Sequence, residues 1–320
     1  MKTFGRASSK DWFGRALVLT LALATAACGG GTEILEDDPE KPNVVATNTI
    51  VADLVARVGG EEIDLQSLLE AGDDPHVYEP VPLDSLTIEQ ADFVFVGGHN
   101  LEPALIDLVV GAGSGVPYLA LNETVEPLEM DEDGQSVPDP HVWGDVENAI
   151  VMVEQVRDSL SELEPEDAEI FAANADALIA ELERLDGWIG AQIETIPEDV
   201  RAIVTTHDAF QYYADAYGLE VIGTLIGIST EEQPSAQTVQ QLVEAVRAAG
   251  VPAIFAETTI APELIETVAR EAGVALAEPM LYSDSIGAPG SDGDSYIKML
   301  VSNTCSIAKN LGGKCEEFEP

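Results

Sequence analysis

Basic side chains are scarce in this chain: 14 lysines and arginines stand against 59 aspartates and glutamates in 320 residues, a formal net charge of −45. Nucleic acid is thereby excluded as a partner, because binding it needs a basic face that neutralises phosphates. The same negative field raises the local concentration and arrival rate of cations, although salt screens it within about 8 Å at physiological ionic strength. Most of these acids read as a solubilising surface. Cysteine is sparser still, and Cys28, Cys305 and Cys315 have no spacing of a metal-binding thiolate set, so thiolate ligation of zinc is not expected. The long apolar stretch ALVLTLALATAA (16–27) has twelve residues, too few for a helix across a bilayer, which needs about 20. There is no HExxH helix, nucleophile elbow or paired-metal cluster to suggest a hydrolase. Nor is there a repeat or dedicated adhesion module, so cell adhesion would be a secondary role.

What is present begins with an export signal. Lys2, Arg6, Lys10 and Arg15 accompany the apolar stretch, and small residues lead to Cys28; residues 1–27 therefore read as a signal peptide. The residues before Cys28 resemble a lipobox, in which the cysteine is acylated and becomes the first mature residue, with Thr25 where that motif usually carries Leu. The chain is expected to be exported and lipid-anchored through Cys28 to the membrane, on the cell surface or the periplasmic face, with residues 28–42 as a flexible tether. Without residues 1–27 the charge is −48. Outside the cytoplasm Cys305 and Cys315 are able to pair, with Gly312 and Gly313 supplying the chain reversal. Closing so short a loop would contribute about 2.5–3 kcal/mol.

From residue 43 onward, short β-branched runs alternate with helical patterns. NVVATN (43–48), IDLQSLL (63–69), DFVFVGG (92–98) and VPYLAL (116–121) form one series of strands; RAIVTTH (201–207), EVIGTLIG (220–227), PAIFAET (252–258) and VALAEPM (274–280) form a second. Such alternation predicts an α/β protein of two lobes, 43–164 and 198–320, each a mostly parallel sheet flanked by helices. Between them, in residues 165–197, Ile170, Phe171, Ala175, Leu178, Leu182, Leu185, Trp188, Ile189 and Ile193 recur at intervals of three and four. That predicts one helix of about 30 residues, some 45 Å long. A helical linker of this length is a strut that holds the lobes in fixed relation.

The chain has only four histidines, and three of them stand where open α/β sheets bind ligands, beyond the carboxyl ends of strands. His76, in DDPHVYEP, lies in the loop after IDLQSLL; His141, in a second DPHV, lies in the loop after VPYLAL; His207 ends RAIVTT. Asp284 follows VALAEPM in LYSDSIG. Two candidate ligands come from each lobe, and three imidazoles with one carboxylate suit a divalent first-row metal. Proline before His76 and His141 presets each loop and lowers the cost of presenting the ring. His99, in GGHNLEP, is read as lining the cleft and is left out of the ligand set.

DPHVYEP, GGHNLEP, DPHVW, TTHDAFQYYADAYGL, QPSA and SDSIGAPGSDGDSYIKML, in this order, resemble the substrate-binding proteins of ABC-type zinc and manganese importers over residues 43–312. The resemblance implies two lobes joined by a rigid helix, with one metal held between them by His76, His141, His207 and Asp284. It implies a receptor that passes its cation to a membrane permease, acts as a monomer and catalyses no reaction. Gly144 and Val146 stand where the family tends to have Leu and Pro, an expected loosening of the helix that starts there. The acidic, histidine-free stretch 125–138 is read as a solvated loop. Relatives dedicated to manganese tend to carry Glu at the position of His207, so zinc is the expected cargo and manganese the alternative. Glu257 in FAETT is a candidate acceptor for a ligand imidazole. A zinc metallohydrolase, with Asp284 as base or Glu257 activating a metal-bound water, is the remote alternative.

Overall fold

The computed structural model describes residues 41–111, 115–132 and 134–319. The expected signal peptide, Cys28 and the tether up to residue 40 lie outside the described residues. Among the described residues no helix is long and apolar enough to cross a membrane.

In the first lobe β1 (Asn43–Ala46), α1 (Thr49–Gly59), β2 (Asp64–Ser67), α2 (Pro82–Gln90), β3 (Phe93–Val96), α3 (Pro103–Gly111) and β4 (Tyr118–Ala120) follow one another. The strands form a parallel sheet in the order β2-β1-β3-β4. Val44, Val45, Val94 and Phe95 are all fully buried, as expected of a parallel sheet covered on both faces. The loop after β4 departs from the expectation. The acidic stretch read as a solvated loop folds into an antiparallel hairpin, β5 (Glu129–Glu132) and β6 (Gln135–Pro138), so His141 follows a hairpin rather than leaving β4 directly.

Two antiparallel helices come next, α4 (Val146–Leu163) and α5 (Ala168–Ile193). The start of α4 is not loosened. The Asp145 side chain caps it by accepting from Glu147 N at 2.8 Å, and Val146 is fully buried. Gly144 has a packing reason: a Cβ there would lie 3.0 Å from Tyr213 N of the second lobe. The strut is shorter than expected, 26 residues or about 39 Å. Of its predicted apolar positions Phe171, Ala175, Leu178, Leu182, Leu185, Ile189 and Ile193 are buried, whereas Ile170 is 41% exposed.

The second lobe contains β7 (Ala202–Thr205), α6 (Gln211–Tyr217), β8 (Glu220–Thr224), α7 (Ala236–Ala249), β9 (Ala253–Ile254), α8 (Glu263–Ala272), β10 (Ala275–Leu276) and α9 (Tyr296–Asn310). β7 pairs with β8 and β9 with β10, both parallel. Phe255 N donates to Val204 O at 2.9 Å and sets β9 beside β7. The strand order β8-β7-β9-β10 therefore repeats the plan of the first sheet. Cys305 and Cys315 are joined in a disulfide at the end of α9.

Three apolar clusters hold these layers. One lies under α2 and α3, with Val45, Ile88, Val94 and Leu105; one lies under α7 and α8, with Val204, Val246, Ile254 and Val268. The third is continuous across the molecule, joining Leu54 of α1, Met152 of α4, Leu182 of α5, Tyr213 of α6 and Leu300 of α9. Each sheet thus has a private outer core, while the inner faces share one core threaded by α5. Truncation within that shared core leaves a cavity that close packing cannot refill. Leu182→Ala is expected to lower the unfolding free energy by about 2–5 kcal/mol in urea titrations, against about 0.5 kcal/mol or less for Ile170→Ala on the exposed side of the same helix.

Candidate metal centre

Both DPH segments work alike. Asp74 caps a 3-10 turn at Pro75–Val77, its Oδ1 accepting from His76 N at 3.0 Å. Asp139 Oδ1 accepts from His141 N at 3.0 Å and also from the ring Nδ1 of His141 at 2.7 Å. In each case a short acid two residues before the histidine satisfies its backbone amide, and proline between them fixes the turn. His207 leaves the end of β7, where Glu257, just beyond the neighbouring β9, receives it. Glu257 Oε1 accepts from Thr206 N at 2.8 Å and His207 N at 3.0 Å, and its Oε2 accepts from His207 Nδ1. Carboxylates on the Nδ1 of His141 and His207 fix the two rings and turn each Nε2 inward, the atom a cation would take once its proton leaves.

The inward atoms meet. His76 Nε2 lies 3.3 Å from His141 Nε2, His141 Nε2 lies 3.3 Å from Asp284 Oδ1, and His207 Nε2 lies 3.1 Å from Asp284 Oδ2. One ligand atom from each of the four residues falls within 4.8 Å of all the others, and all four side chains are buried. Donors bonded at 2.0–2.1 Å to a tetrahedral zinc are separated by about 3.3 Å along each edge, so these spacings fit a cation in their midst. His207 Nε2 and Asp284 Oδ1 have no hydrogen-bond partner, which is costly for buried polar atoms unless an ion takes that role. His99 is not among the four; it lines a neighbouring cavity with His76.

The seam around the four is stapled by polar contacts between lobes. Gly72 N donates to Ser285 Oγ at 2.8 Å, Ile286 N to Thr49 Oγ1 at 3.1 Å, and Trp143 Nε1 to Ser283 O at 3.1 Å. Thr230 Oγ1 donates to Asp74 Oδ2 at 2.7 Å, and the Tyr212 hydroxyl to Asp139 O at 3.0 Å. The loops bearing His76, His141 and Asp284 are each held from the opposite lobe. Asp139 is the functional residue that reasoning from the sequence missed, although it sits in the repeated DPH motif. The staples leave no comparable signal, because their partners are up to 237 positions apart.

Electrostatics divide the three rings. Burial pushes the His76 imidazole down to about 3, so it is neutral near pH 7. Burial disfavours the charged form of His141 as well, but Asp139 and Asp284 outweigh it and raise this ring to about 9. His207 is likewise held well above the usual histidine range, the pull of Asp284 and Glu257 exceeding the cost of burial. Burial works against ionised Asp284 too, and the charges of His207 and His141 overcome it.

Fold and site together define a class: a two-lobed α/β binding protein with a buried histidine and carboxylate site suited to one divalent cation. More particularly, the chain belongs to the family described as zinc-uptake complex component A, periplasmic, which it matches over residues 44–310. It is 34% identical to the manganese-binding lipoprotein MntA of Halalkalibacterium halodurans, over 92% of this chain and 97% of that protein. It is 32% identical to the manganese ABC transporter substrate-binding lipoprotein PsaA of Streptococcus pneumoniae, over 93% and 98%. The solved structure of the periplasmic zinc-binding protein TroA from Treponema pallidum superposes with a TM-score of 0.80 at 30% identity, covering 85% of this chain and 99% of that one.

Two outcomes follow from the geometry. Glu257→Gln removes the charge that orients and enriches the His207 ring, and is expected to weaken cation binding about 10–100-fold in calorimetric titration. A cation needs unprotonated Nε2 atoms, and the carboxylates beside His141 and His207 favour the protonated rings whereas burial keeps His76 neutral. Uptake should therefore release protons at pH 7, measured by calorimetry in buffers of different ionisation enthalpy. Apparent affinity should rise with pH, and the contribution of His141 to that rise should end near pH 9.

Proposed function

We propose that the chain is the extracytoplasmic receptor of an ABC metal importer. It captures one divalent cation with His76, His141, His207 and Asp284 and delivers it to the membrane permease. In this reading residues 1–27 direct export, lipid on Cys28 anchors the chain to the membrane, residues 28–42 are the tether, and the two lobes, 43–164 and 198–320, work as a monomer around the helical segment 165–197. The observation that carries it is the convergence of four buried donors from both lobes at spacings that fit a single ion. Four protein donors complete a tetrahedral shell and leave no position for reactive water, which suits capture better than hydrolysis.

Zinc is the cargo that three imidazole nitrogens favour, since zinc lies above manganese in intrinsic affinity for such donors. Manganese has one structural point in its favour. Both oxygens of Asp284 approach ring nitrogens, Oδ1 toward His141 and Oδ2 toward His207, and a bidentate carboxylate would supply a fifth donor.

Chelator-treated protein is expected to take up one zinc per chain with nanomolar affinity, about −12 kcal/mol, and manganese more weakly, in isothermal titration. Absence of saturable one-to-one uptake overturns the reading; tighter binding of manganese assigns manganese as the cargo. His207→Glu trades a nitrogen for an oxygen donor, and should reduce the zinc-to-manganese affinity ratio by at least about tenfold.

A further inference from the structure

Each of the four donors is closed off, but not equally. His141 and His207 are 0% exposed and Asp284 1%, whereas His76 is 3% exposed and is the one member of the set that lines a cavity reaching across the seam. This cavity measures about 470 Å³ and is bounded by His76, His99, Asn100 and Glu123 of the first lobe and Ile228 and Ser229 of the second. Six waters of a hydrated dication occupy about 180 Å³, so the cavity admits the ion with its hydration shell. The site behind it does not, since its four donor atoms all lie within 4.8 Å of one another.

His99 occupies that cavity in an unusual way. It and Asn100 are consecutive non-glycine residues with positive φ, +51° and +61°, an uncommon conformation that histidine and asparagine adopt more readily than most and that clusters at functional sites. Gly98 before them has φ +98°, where a Cβ would meet Ala120 Cβ at 3.0 Å. The turn is fixed from outside, because His99 N donates to Glu123 Oε1 at 3.3 Å and Leu101 N to Gly98 O at 3.1 Å. The ring so placed has its Nε2 buried with no hydrogen-bond partner. The His99 residue lines the cavity beside His76, and no hydrogen bond ties its Nε2 to the fold, so the ring is a donor without a structural role.

We propose that His99 is an outer station on the cation's route. It accepts the incoming ion in the cavity in exchange for a water, passes it inward to His76, and takes it back on release. The exposed Glu123 carboxylate positions the turn and adds negative charge at the same cavity. A station of this kind lowers the barrier to entry and to exit together and leaves the affinity of the inner site unchanged. The inference rests on the chain being a receptor for a divalent cation.

The test uses the full mature chain and zinc alone. Trp143 stands edge-on to His141, ring centroids 5.5 Å apart, so stopped-flow indole emission follows filling of the inner site, and transfer to excess chelator follows release. His99→Asn is the variant, because asparagine tolerates positive φ but does not extend as far into the cavity. Association and release are both expected to slow about tenfold or more, the effect of losing one charge-assisted contact from the transition state, with Kd within about twofold of the parent. Unchanged rates in both directions overturn the proposal. So does a higher Kd at an unchanged association rate, which would make His99 a ligand of the final site. Failure of the unsubstituted chain to take up one zinc would instead overturn the receptor reading itself.

Discussion

Three imidazoles and a carboxylate, buried together with a ligand atom of each within 4.8 Å of all the others, form the constraint on which the rest of this molecule depends. Polar atoms packed this closely in a low-dielectric interior repel or go unpaired unless something positive lies between them. Protonation of His141 and His207, which their carboxylate neighbours favour, meets part of the demand, and the charges of these rings hold Asp284 well below the usual carboxylate range against the cost of burial. A divalent cation satisfies all of it. The carboxylates Asp139 and Glu257 stand behind the rings in either case, and Asp74 fixes the turn of the third. Their work is to fix ring orientation before any ion arrives, so that binding is not weakened by the ordering of loose side chains.

Such preorganisation demands a scaffold in which the two lobes do not drift. The shared inner core provides it, since Leu54, Met152, Leu182, Tyr213 and Leu300 belong to one continuous apolar cluster contributed by five helices. Close-packed interiors transmit displacement rather than absorb it. Motion of one lobe against the other would have to break this packing as well as the polar staples at Ser283, Ser285 and Thr230. The long helix is therefore better described as the spine of a common core than as a strut spanning open space.

Much of this was legible before any coordinates. Parallel sheets deliver their strand ends to one edge, so three rare histidines and an aspartate placed after strands identify that edge without knowledge of packing. The α5 stripe was readable from its three-and-four spacing, except at Ile170, which is exposed, and at the ends, where the helix stops before Glu194 and begins after Asp167. Helix ends answer to local caps and to tertiary contacts; Thr195, for instance, accepts from Lys314 N at 2.8 Å. The hairpin of β5 and β6 escaped notice because an acidic segment shows no apolar alternation. The shared core escaped because periodicity reveals which face of a helix is buried but not against what. Asp139 was in plain view, yet an acid in a chain with 59 of them carries little weight until a ring nitrogen is found 2.7 Å away.

The two sheets have the same strand order, and what differs between them explains why the site is lopsided. In each, the strand order reverses between the first and third strands, and a crevice opens there. In the second lobe Glu257, after β9, meets His207, after β7, and His207 faces Asp284. In the first lobe the corresponding crevice is filled: Glu102 is fully buried, takes hydrogen bonds from Thr47 Oγ1 and Gly97 N, and is raised above the usual carboxylate range by burial. It touches none of the four donors. With that crevice sealed by its own carboxyl, the first lobe presents His76 from the loop after its outer strand β2 and His141 from the segment after the β5–β6 hairpin. The cluster of four thus sets the switch-point residue of one lobe, His207, against peripheral segments of the other. That asymmetry leaves His76 bordering the cavity it shares with His99.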